Sequence, residues 1–264
     1  MIEGQGNSED DNLSGEKSEL EASNIKEDTT PTISQISYEI WDNSKRASLV
    51  VKIFIALICF YALGIIISFM EYNLLIDIKN GEEITDSQLD FNDFRVISKS
   101  ILQVLIMIVS IIVFINWFRR AYGNLHRLGI SVLKQSESMA LWCWFIPILS
   151  FFIPYQIMNE IHRFTKESIQ KFNKSYRAEN LSFAVLIWWL VFVITNIIDW
   201  IISKGLSSAQ TMNGMISLSR ASLIMDVIAI FEAMMVINIV RKIAKMEDVL
   251  KEEVLKANGN VVNK

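Results

Sequence analysis

Apolar residues gather in long blocks along this 264-residue chain, and polar connections separate the blocks. A helix needs about 20 predominantly apolar residues to cross a hydrocarbon core about 30 Å thick. Four blocks meet this requirement, at about residues 49–70, 99–118, 181–202 and 219–240. We predict that each of the four crosses a membrane once.

A fifth apolar segment, residues 138–159, contains Pro147 and Pro154. A proline inside a helix removes a backbone donor and clashes with the preceding turn. We therefore expect this segment to be broken, and either to re-enter the face it left or to lie in the membrane interface. Its two tryptophans would then lie at the level of the lipid headgroups. The alternative is a kinked helix that makes a fifth crossing.

Basic residues are unevenly distributed among the connections. Residues 119–137 contain four lysines and arginines and residues 161–179 contain five, whereas residues 71–98 contain two. Basic connections are retained on the cytoplasmic side of a membrane. Five crossings would place the two basic connections on opposite faces, so the distribution favours four crossings with the N- and C-termini in the cytoplasm.

The connection at residues 71–98 contains two local structural signals. Asn80-Gly81 predicts a turn, and Thr85-x-x-Gln88 resembles a capping box that opens a short helix. We expect this connection to lie outside, on the face opposite the cytoplasm.

The chain divides by composition into three regions. Residues 1–36 contain nine acidic residues and two lysines, a net charge of −7, and too few apolar residues to offset the entropy of ordering. We predict a disordered acidic cytoplasmic tail there, a transmembrane helical domain over 37–240, and an amphipathic cytoplasmic helix and tail over 241–264. The predicted fold is an all-α integral membrane helical bundle.

Composition argues against several other classes of protein. Hydrophobic residues make up 52% of the chain, which contains only two cysteines and ten glycines. These values do not fit a soluble enzyme domain, a nucleic-acid-binding protein or a disulfide scaffold. No nucleophile elbow, phosphate-binding glycine loop or dinucleotide fingerprint occurs, so we predict no catalytic residues and no cofactor.

The middle of the chain carries three short motifs and a tryptophan pair. They are W-F-R-R-A-Y-G-N from Trp117 to Asn124, W-F-I-P from Trp144 to Pro147, P-Y-Q-I-M-N-E-I from Pro154 to Ile161, and Trp188-Trp189. In this order they resemble the bacterial membrane proteins of the domain of unknown function 4328 family, over roughly residues 50–240. The resemblance implies a multi-pass helical protein with no established activity. We predict that it lies in the inner membrane.

Two groups of candidate functional residues accompany these motifs. The first comprises motif positions of the broken segment: Trp144, Pro147, Pro154, Tyr155, Gln156 and Glu160. The second is a cluster predicted at the cytoplasmic surface: Arg119, Arg120, Asn124, His126, Arg127, His162 and Arg163. Basic residues there can bind anionic lipid headgroups, and they also set topology. The two histidines are 36 positions apart and match no metal-ligand spacing, so we predict no metal site.

Three carboxylates interrupt the last two apolar blocks, namely Asp199, Asp226 and Glu232. Placing an ionisable side chain near the midplane costs about 2.5–3.5 kcal/mol on insertion scales, so such residues are candidates for function. Asp199 lies near the outer end of its span, where it reaches water or pairs with Arg220. Inward-facing carboxylates suit a proton or cation path, and a structural role in helix pairing fits equally well.

Asp226 belongs to a face of small residues. That face also includes Ser219, Ser222, Ala229 and Ala233. Small residues let helices approach closely in lipid, so this face is typical of a packing seam. We expect Asp226 to point into the bundle and to hydrogen-bond with Asn196 and Asp199 on the preceding span.

Three hypotheses for function remain. The preferred one is a non-enzymatic multi-pass membrane protein that binds a protein partner or anionic lipid at its cytoplasmic face. The alternatives are a small transporter or ion-conducting module that uses the buried carboxylates, and a lipid-headgroup enzyme in which His126, Glu160 and His162 converge. The expected partners are the lipid bilayer and either an anionic lipid or another membrane protein. We expect no binding to nucleic acid, and the sequence is also compatible with a homo-oligomer.

Overall fold

The computed structural model describes residues 39–205 and 211–262. Every regular element within these ranges is a helix. The helices are α1 (Ser44–Asn80), α2 (Asp86–Arg127), α3 (Met139–Trp142), α4 (Pro147–Ser150), α5 (Ile153–Phe172), α6 (Ser182–Gly205) and α7 (Met212–Val262). The tail predicted over residues 1–36 lies outside the described residues, so that prediction stays untested.

Four of the helices, α1, α2, α6 and α7, are long and apolar enough to cross a membrane. The prediction of an all-α fold with four spans is therefore confirmed. Helix α1 has 37 residues and α2 has 42. At about 1.5 Å per residue each is about 55 Å long or longer, so both extend beyond a hydrocarbon core about 30 Å thick.

The turn between α1 and α2 is much shorter than the apolar pattern indicates. Gly81 ends α1 with a left-handed φ of 83°, and its N–H donates to the Ile78 carbonyl oxygen at 3.1 Å. The Thr85 hydroxyl accepts from the Gln88 N–H, and the Gln88 side chain accepts from the Thr85 N–H, which confirms the predicted capping box. The box opens α2 itself, because the two helices stay paired beyond their apolar stretches.

The proline-containing segment is broken, as predicted. Pro147 is the first residue of α4 and Pro154 is the second residue of α5. The backbone N–H groups at these positions form no hydrogen bond within the helix, so a proline is tolerated there. Ile146 before Pro147 is extended, with φ −100° and ψ 111°. Helices α3 and α4 have four residues each, and neither they nor α5 are among the candidate spans. The alternative of a fifth crossing is therefore not supported.

Both basic connections lie at the same end of the helical bundle. Asn124 near the end of α2 hydrogen-bonds to the backbone of Trp41, just before α1. Lys242 of α7 forms a 2.5 Å ion pair with Glu179, just before α6. We call this the signature end, because it carries the three motifs; the α1–α2 turn lies at the other end. Which end faces the cytoplasm stays a prediction.

The buried core is concentrated at the signature end. Trp117, Phe118 and Tyr122 of α2 are fully buried. They belong to one apolar cluster with Ile161 of α5 and Ile243 of α7. Burial of such large side chains supplies most of the packing energy at this end, because each is worth about 1.5–3 kcal/mol or more when removed from water.

Helix α7 continues without a break through the amphipathic stretch after Val240. Met246, Leu250 and Val254 form a second buried cluster with Ile169 of α5. The apolar stripe of the helical extension therefore packs on α5. Its location in the cytoplasm stays a prediction.

This arrangement predicts that both basic connections are reached from one side of a membrane. In a variant with Cys59 and Cys143 replaced by alanine, Ser136→Cys and Lys174→Cys should react with an impermeant maleimide from the same side of sealed vesicles. Glu83→Cys, in the α1–α2 turn, is the control and should react from the other side. Labelling of Ser136→Cys and Lys174→Cys from opposite sides would contradict the four-crossing fold.

Candidate functional site

At the signature end, Asn124 holds the chain that leads into α1. Its Oδ1 accepts a hydrogen bond from the Trp41 N–H at 3.1 Å, and its Nδ2 donates to the Trp41 carbonyl oxygen at 2.9 Å. The side-chain amide thus pairs with a backbone unit as a neighbouring strand would. This pair of bonds fixes the entry into α1 against the end of α2.

A buried carboxylate lies beside this contact. Glu247 of α7 is only 8% exposed and accepts hydrogen bonds from Asn43 Nδ2 at 3.0 Å and Asn124 Nδ2 at 3.3 Å. Asn43 Nδ2 also lies 3.3 Å from the Trp117 carbonyl oxygen. A buried carboxylate is costly without hydrogen-bond donors, so the two amides stabilise it. Glu247 therefore joins α7 to the start of α1 and the end of α2.

The Trp41 ring lies under two basic side chains of α2. The guanidinium carbon of Arg127 is 3.5 Å from the ring centroid and that of Arg120 is 4.4 Å away. The nearest Arg127–Glu137 atoms are 3.7 Å apart, and Glu137 lies 3.8 Å from Arg119. Two basic residues of the predicted cluster are thus occupied in holding the chain before α1.

Gly123 allows this layer to approach α2 closely. A Cβ atom at this position would lie 2.8 Å from Arg127 Nη1 and 2.9 Å from Glu137 Cδ. The glycine of the W-F-R-R-A-Y-G-N motif therefore has a steric reason.

Glu160 anchors the loop that follows α2. It is 6% exposed; its Oε2 accepts a 2.7 Å hydrogen bond from the Tyr122 hydroxyl, and its Oε1 accepts from the Lys134 N–H at 3.3 Å. The Tyr122 oxygen in turn accepts from the Gln135 N–H at 3.2 Å. The first and third sequence motifs thus meet through a tyrosine–glutamate hydrogen bond.

The two histidines have separate environments. His162 Nε2 lies 3.1 Å from the Glu179 carbonyl oxygen, at the entry to α6. The His126 ring packs edge-on against Tyr122 at 5.0 Å between ring centroids. No group of three or more histidine, cysteine or acidic side chains suited to a metal ion occurs in the described ranges.

Burial lowers the pKa of His162 below its ordinary value of 6.5, because a charged imidazolium is poorly solvated there, and the nearby Lys166 charge acts in the same direction. Because its pKa lies below 6.5, His162 is neutral at pH 7, where it bonds to the backbone.

At the surface, the pKa of Asp42 is lowered, first by its hydrogen bond with Lys251 and then by that with Ser44.

An aromatic cluster brings the second motif to the tryptophan pair. The Trp144 ring lies 5.6 Å from the Phe114 and Phe118 rings and 6.1 Å from Phe192. Tyr155 stacks on Trp189 at 6.4 Å. These edge and offset contacts are the favourable geometries for aromatic pairs. Trp144 and Tyr155 therefore fix the broken segment between α2 and α6, whereas Gln156 is half-buried on α5.

The second candidate site lies between α1, α2 and α7. Lys99 Nζ forms a 2.6 Å ion pair with Asp226 Oδ2, and the two side chains are 7% and 4% exposed. Lys99 Nζ also donates to the Ser68 hydroxyl at 2.7 Å and to the Ser222 hydroxyl at 3.2 Å. The three donors of the ammonium group are therefore all used.

Gly64 makes room for this ion pair. A Cβ atom there would lie 3.0 Å from Lys99 Cε and 3.1 Å from Asp226 Oδ2. Ser219 donates a 3.1 Å hydrogen bond to the Ser68 carbonyl oxygen. The predicted small-residue face of α7 is thus a seam that packs on α1.

The predicted partners of Asp226 are wrong. Asn196 is exposed, and its Nδ2 donates to the Phe192 carbonyl oxygen of its own helix at 2.7 Å. Asp199 is also exposed, and its predicted alternative partner Arg220 instead donates to the Tyr72 hydroxyl at 3.0 Å. The reason is helix order: α7 presents Asp226 to α1 and α2, not to α6.

Glu232 lies half-buried on α7, between one and two helical turns beyond Asp226. Among the described residues it makes no ion pair and no hydrogen bond through its side chain. Glu232 shares this lack of a side-chain partner with the exposed Asp199.

Comparison with known protein families identifies the family to which this chain belongs. Residues 80–245 match a domain of unknown function (DUF4328), which is more than half of the chain. The chain belongs to this family. The resemblance predicted from the motifs is thereby confirmed. No curated protein and no solved structure matches the chain.

The range matched by the DUF4328 family contains only some of the residues that form hydrogen bonds at the signature end. The matched range contains Asn124 and Glu160, whereas Trp41, Asn43 and Glu247 lie outside it. Sequence reasoning did not select these last three residues or Lys99. One sequence feature could have indicated Lys99, because it borders an apolar block and is opposite in charge to Asp226. No sequence feature indicated Asn43 or Glu247.

The buried ion pair predicts strong coupling between its members. Lys99→Met or Asp226→Leu alone should lower stability by about 3–5 kcal/mol, because each leaves an unpaired buried charge, and the double variant should recover most of the loss. SDS-induced unfolding in mixed micelles measures this. Lys52→Met, which removes an exposed lysine of α1, is the control and should change little. Additive losses in the double variant would exclude the coupling.

The buried histidine predicts a pH dependence of stability. Because the folded chain binds a proton at His162 less readily than the unfolded chain, lowering the pH below 6.5 should weaken folding, and the loss should level off below the folded pKa. His162→Gln, which keeps a donor for Glu179, should lose this part of the dependence. Melting temperatures from about pH 7.5 to about pH 5 measure it. Parallel curves for both proteins would refute it.

Proposed function

We propose that this DUF4328 protein is a non-enzymatic membrane protein that binds anionic phospholipid headgroups at its signature end. We further propose that this end faces the cytoplasm of a bacterial inner membrane. The observation that carries the proposal is a strip of exposed apolar side chains on the broken segment, with exposed basic residues before and after it in the sequence.

The apolar strip consists of large side chains that nothing covers within the described chain. Trp142, Phe145, Ile148 and Phe152 are 57%, 61%, 75% and 62% exposed. They lie on or beside two helices of four residues each, at one end of a bundle of candidate spans. Aromatic residues at the end of a membrane bundle favour the interface between headgroups and acyl chains.

Basic residues flank this strip on both sides along the chain. The Arg119 side chain is 51% exposed and lies 3.8 Å from Glu137, directly before the broken segment. The Arg163 side chain on α5, after the segment, is 61% exposed and lies 3.7 Å from Glu167. Each basic residue near an anionic membrane surface contributes about 1 kcal/mol of attraction. The pattern of apolar strip and basic border therefore favours an anionic bilayer surface.

The same pattern decides between the two partners predicted from the sequence. A large exposed apolar patch fits either a protein or a membrane. Here the patch belongs to a chain with four candidate spans, so the headgroup layer is always next to it. The lipid is for that reason the partner we propose, with the orientation following from retention of basic connections in the cytoplasm.

Transport through the buried carboxylates has weaker support. Lys99 pairs with Asp226, and the hydroxyls of Ser68 and Ser222 accept the other two hydrogen bonds of the Lys99 ammonium group, so the arrangement is closed. Glu232 and the exposed Asp199 have no such partner in the described chain, and these two carboxylates alone do not define a path. Unchanged proton or cation flux in Asp226→Asn and Glu232→Gln vesicles would remove this alternative.

The enzyme alternative also lacks a geometric basis. Glu160 accepts hydrogen bonds from Tyr122 and from the Lys134 backbone, and His162 faces the backbone at Glu179. Glu160 and His162 thus each have a structural partner rather than a shared reaction site.

Spin-labelled lipids test the proposal. In reconstituted bilayers, labelled phosphatidylglycerol should associate with the protein more strongly than labelled phosphatidylcholine, and added salt should weaken this preference. The double variant Arg119→Gln/Arg163→Gln should lower the preference by about 1 kcal/mol per charge removed. Electron paramagnetic resonance measures the immobilised lipid fraction.

A matched control removes two exposed charges elsewhere at the same end. Lys45→Gln/Lys245→Gln changes net charge equally but leaves the border of the broken segment intact. It should keep most of the lipid preference. Equal association of the two lipids with the wild-type protein, or equal losses in both double variants, would refute the proposed site.

A further inference from the structure

A cleft lies between α1 and α2 at the end opposite the signature end. Its volume is about 290 Å³, and its walls are almost entirely apolar. Leu63 of α1 and Phe94 and Leu102 of α2 form part of the wall and are 60%, 69% and 54% exposed. Gly64 lies in the same lining, and the Lys99–Asp226 pair lies directly beyond it.

Arg95 lines one side of the cleft and supplies its available cationic group. Its Nη2 donates to Asn92 Oδ1 at 2.6 Å, and its Nη1 lies 3.3 Å from the Met70 sulfur. Its Nε is buried and has no hydrogen-bond partner among the described residues. No carboxylate in the described ranges forms an ion pair with it. Lys99 also lines the cleft, but its three donors are already used.

The positions of Arg95 and Leu102 along α2 correspond to two different layers of a bilayer. Arg95 lies five residues before Ser100, where the uncharged stretch of α2 begins, which is about 7 Å along the helix axis. Leu102 lies within that stretch. The cleft therefore extends from the headgroup level, where its cation lies, into the hydrocarbon layer.

We propose that this cleft binds one anionic phospholipid of the leaflet opposite the signature end. An acyl chain lies against Leu63 and Leu102, and the phosphate pairs with the Arg95 guanidinium. A planar guanidinium with unused donors favours a phosphate through charge-assisted hydrogen bonds. A zwitterionic phospholipid has the same phosphodiester, but its ammonium group offsets the attraction to the guanidinium. A headgroup without a chain would leave the apolar wall unfilled. The site is separate from the headgroup surface at the signature end.

Photo-crosslinking locates such a lipid. The full-length protein is placed in phosphatidylcholine nanodiscs with a small fraction of phosphatidylglycerol that carries a diazirine on one acyl chain. Peptide mapping should find labels concentrated at Leu63 and Leu102. Ile197 of α6, which is 46% exposed, serves as the reference lipid-facing position and should be labelled much less. Unlabelled phosphatidylglycerol should compete, whereas phosphatidylcholine and glycerol phosphate should not.

Variants separate the cation from the cavity. Arg95→Gln should reduce labelling at the cleft about tenfold, and Arg95→Lys should restore part of it. Ser98→Phe, which fills the lining, should reduce labelling with Arg95 intact. Arg220→Gln removes a cation from the same end outside the cleft and should change nothing. Labelling like that of Ile197, equal labelling by a phosphatidylcholine probe, displacement by glycerol phosphate, or no effect of Arg95→Gln would overturn the proposal.

Discussion

The packing of the signature end depends on the hydrogen bonds that the buried carboxylate of Glu247 accepts. This carboxylate has no ion-pair partner among the described residues and is held by the amides of Asn43 and Asn124. Because an unsatisfied buried carboxylate is costly, this contact requires the start of α1, the end of α2 and the extension of α7 to lie together. The Trp41 ring and the Arg120 and Arg127 side chains over it take their positions from that junction.

The two prolines determine the path of the chain after α2. Each lies in the first turn of a short or amphipathic helix, so the apolar segment folds back at the signature end and does not continue as a span. Tyr122 and Glu160 then join the loop to α5, and Trp144 fills the space between α2 and α6. The exposed apolar strip is a consequence of this folding, because a segment too short to cross presents its remaining side chains at the end of the bundle.

Local signals predicted local structure well. The capping box at Thr85 and the turn at Gly81 appear as the residue types require, because both depend on backbone geometry within a few positions. The predicted spans were shorter than the helices, since hydropathy detects the hydrocarbon layer and not the paired polar turns beyond it. Partner choice was predicted less well. Asp226 pairs with Lys99 and not with Asn196, because the order of helices in the bundle is not encoded in any one helix.

The linear sequence was enough to establish the class of the protein: four apolar blocks long enough to cross a bilayer, a proline-broken segment between them, and motifs that identify the DUF4328 family. These features depend on length, composition and local backbone chemistry. Which polar residues meet, in contrast, is visible in the tertiary structure alone. Asn43 and Glu247 are 204 positions apart, and Lys99 and Asp226 are 127 apart, yet each pair is in hydrogen-bond contact. Contacts over such separations arise from helix packing, which a linear pattern does not contain.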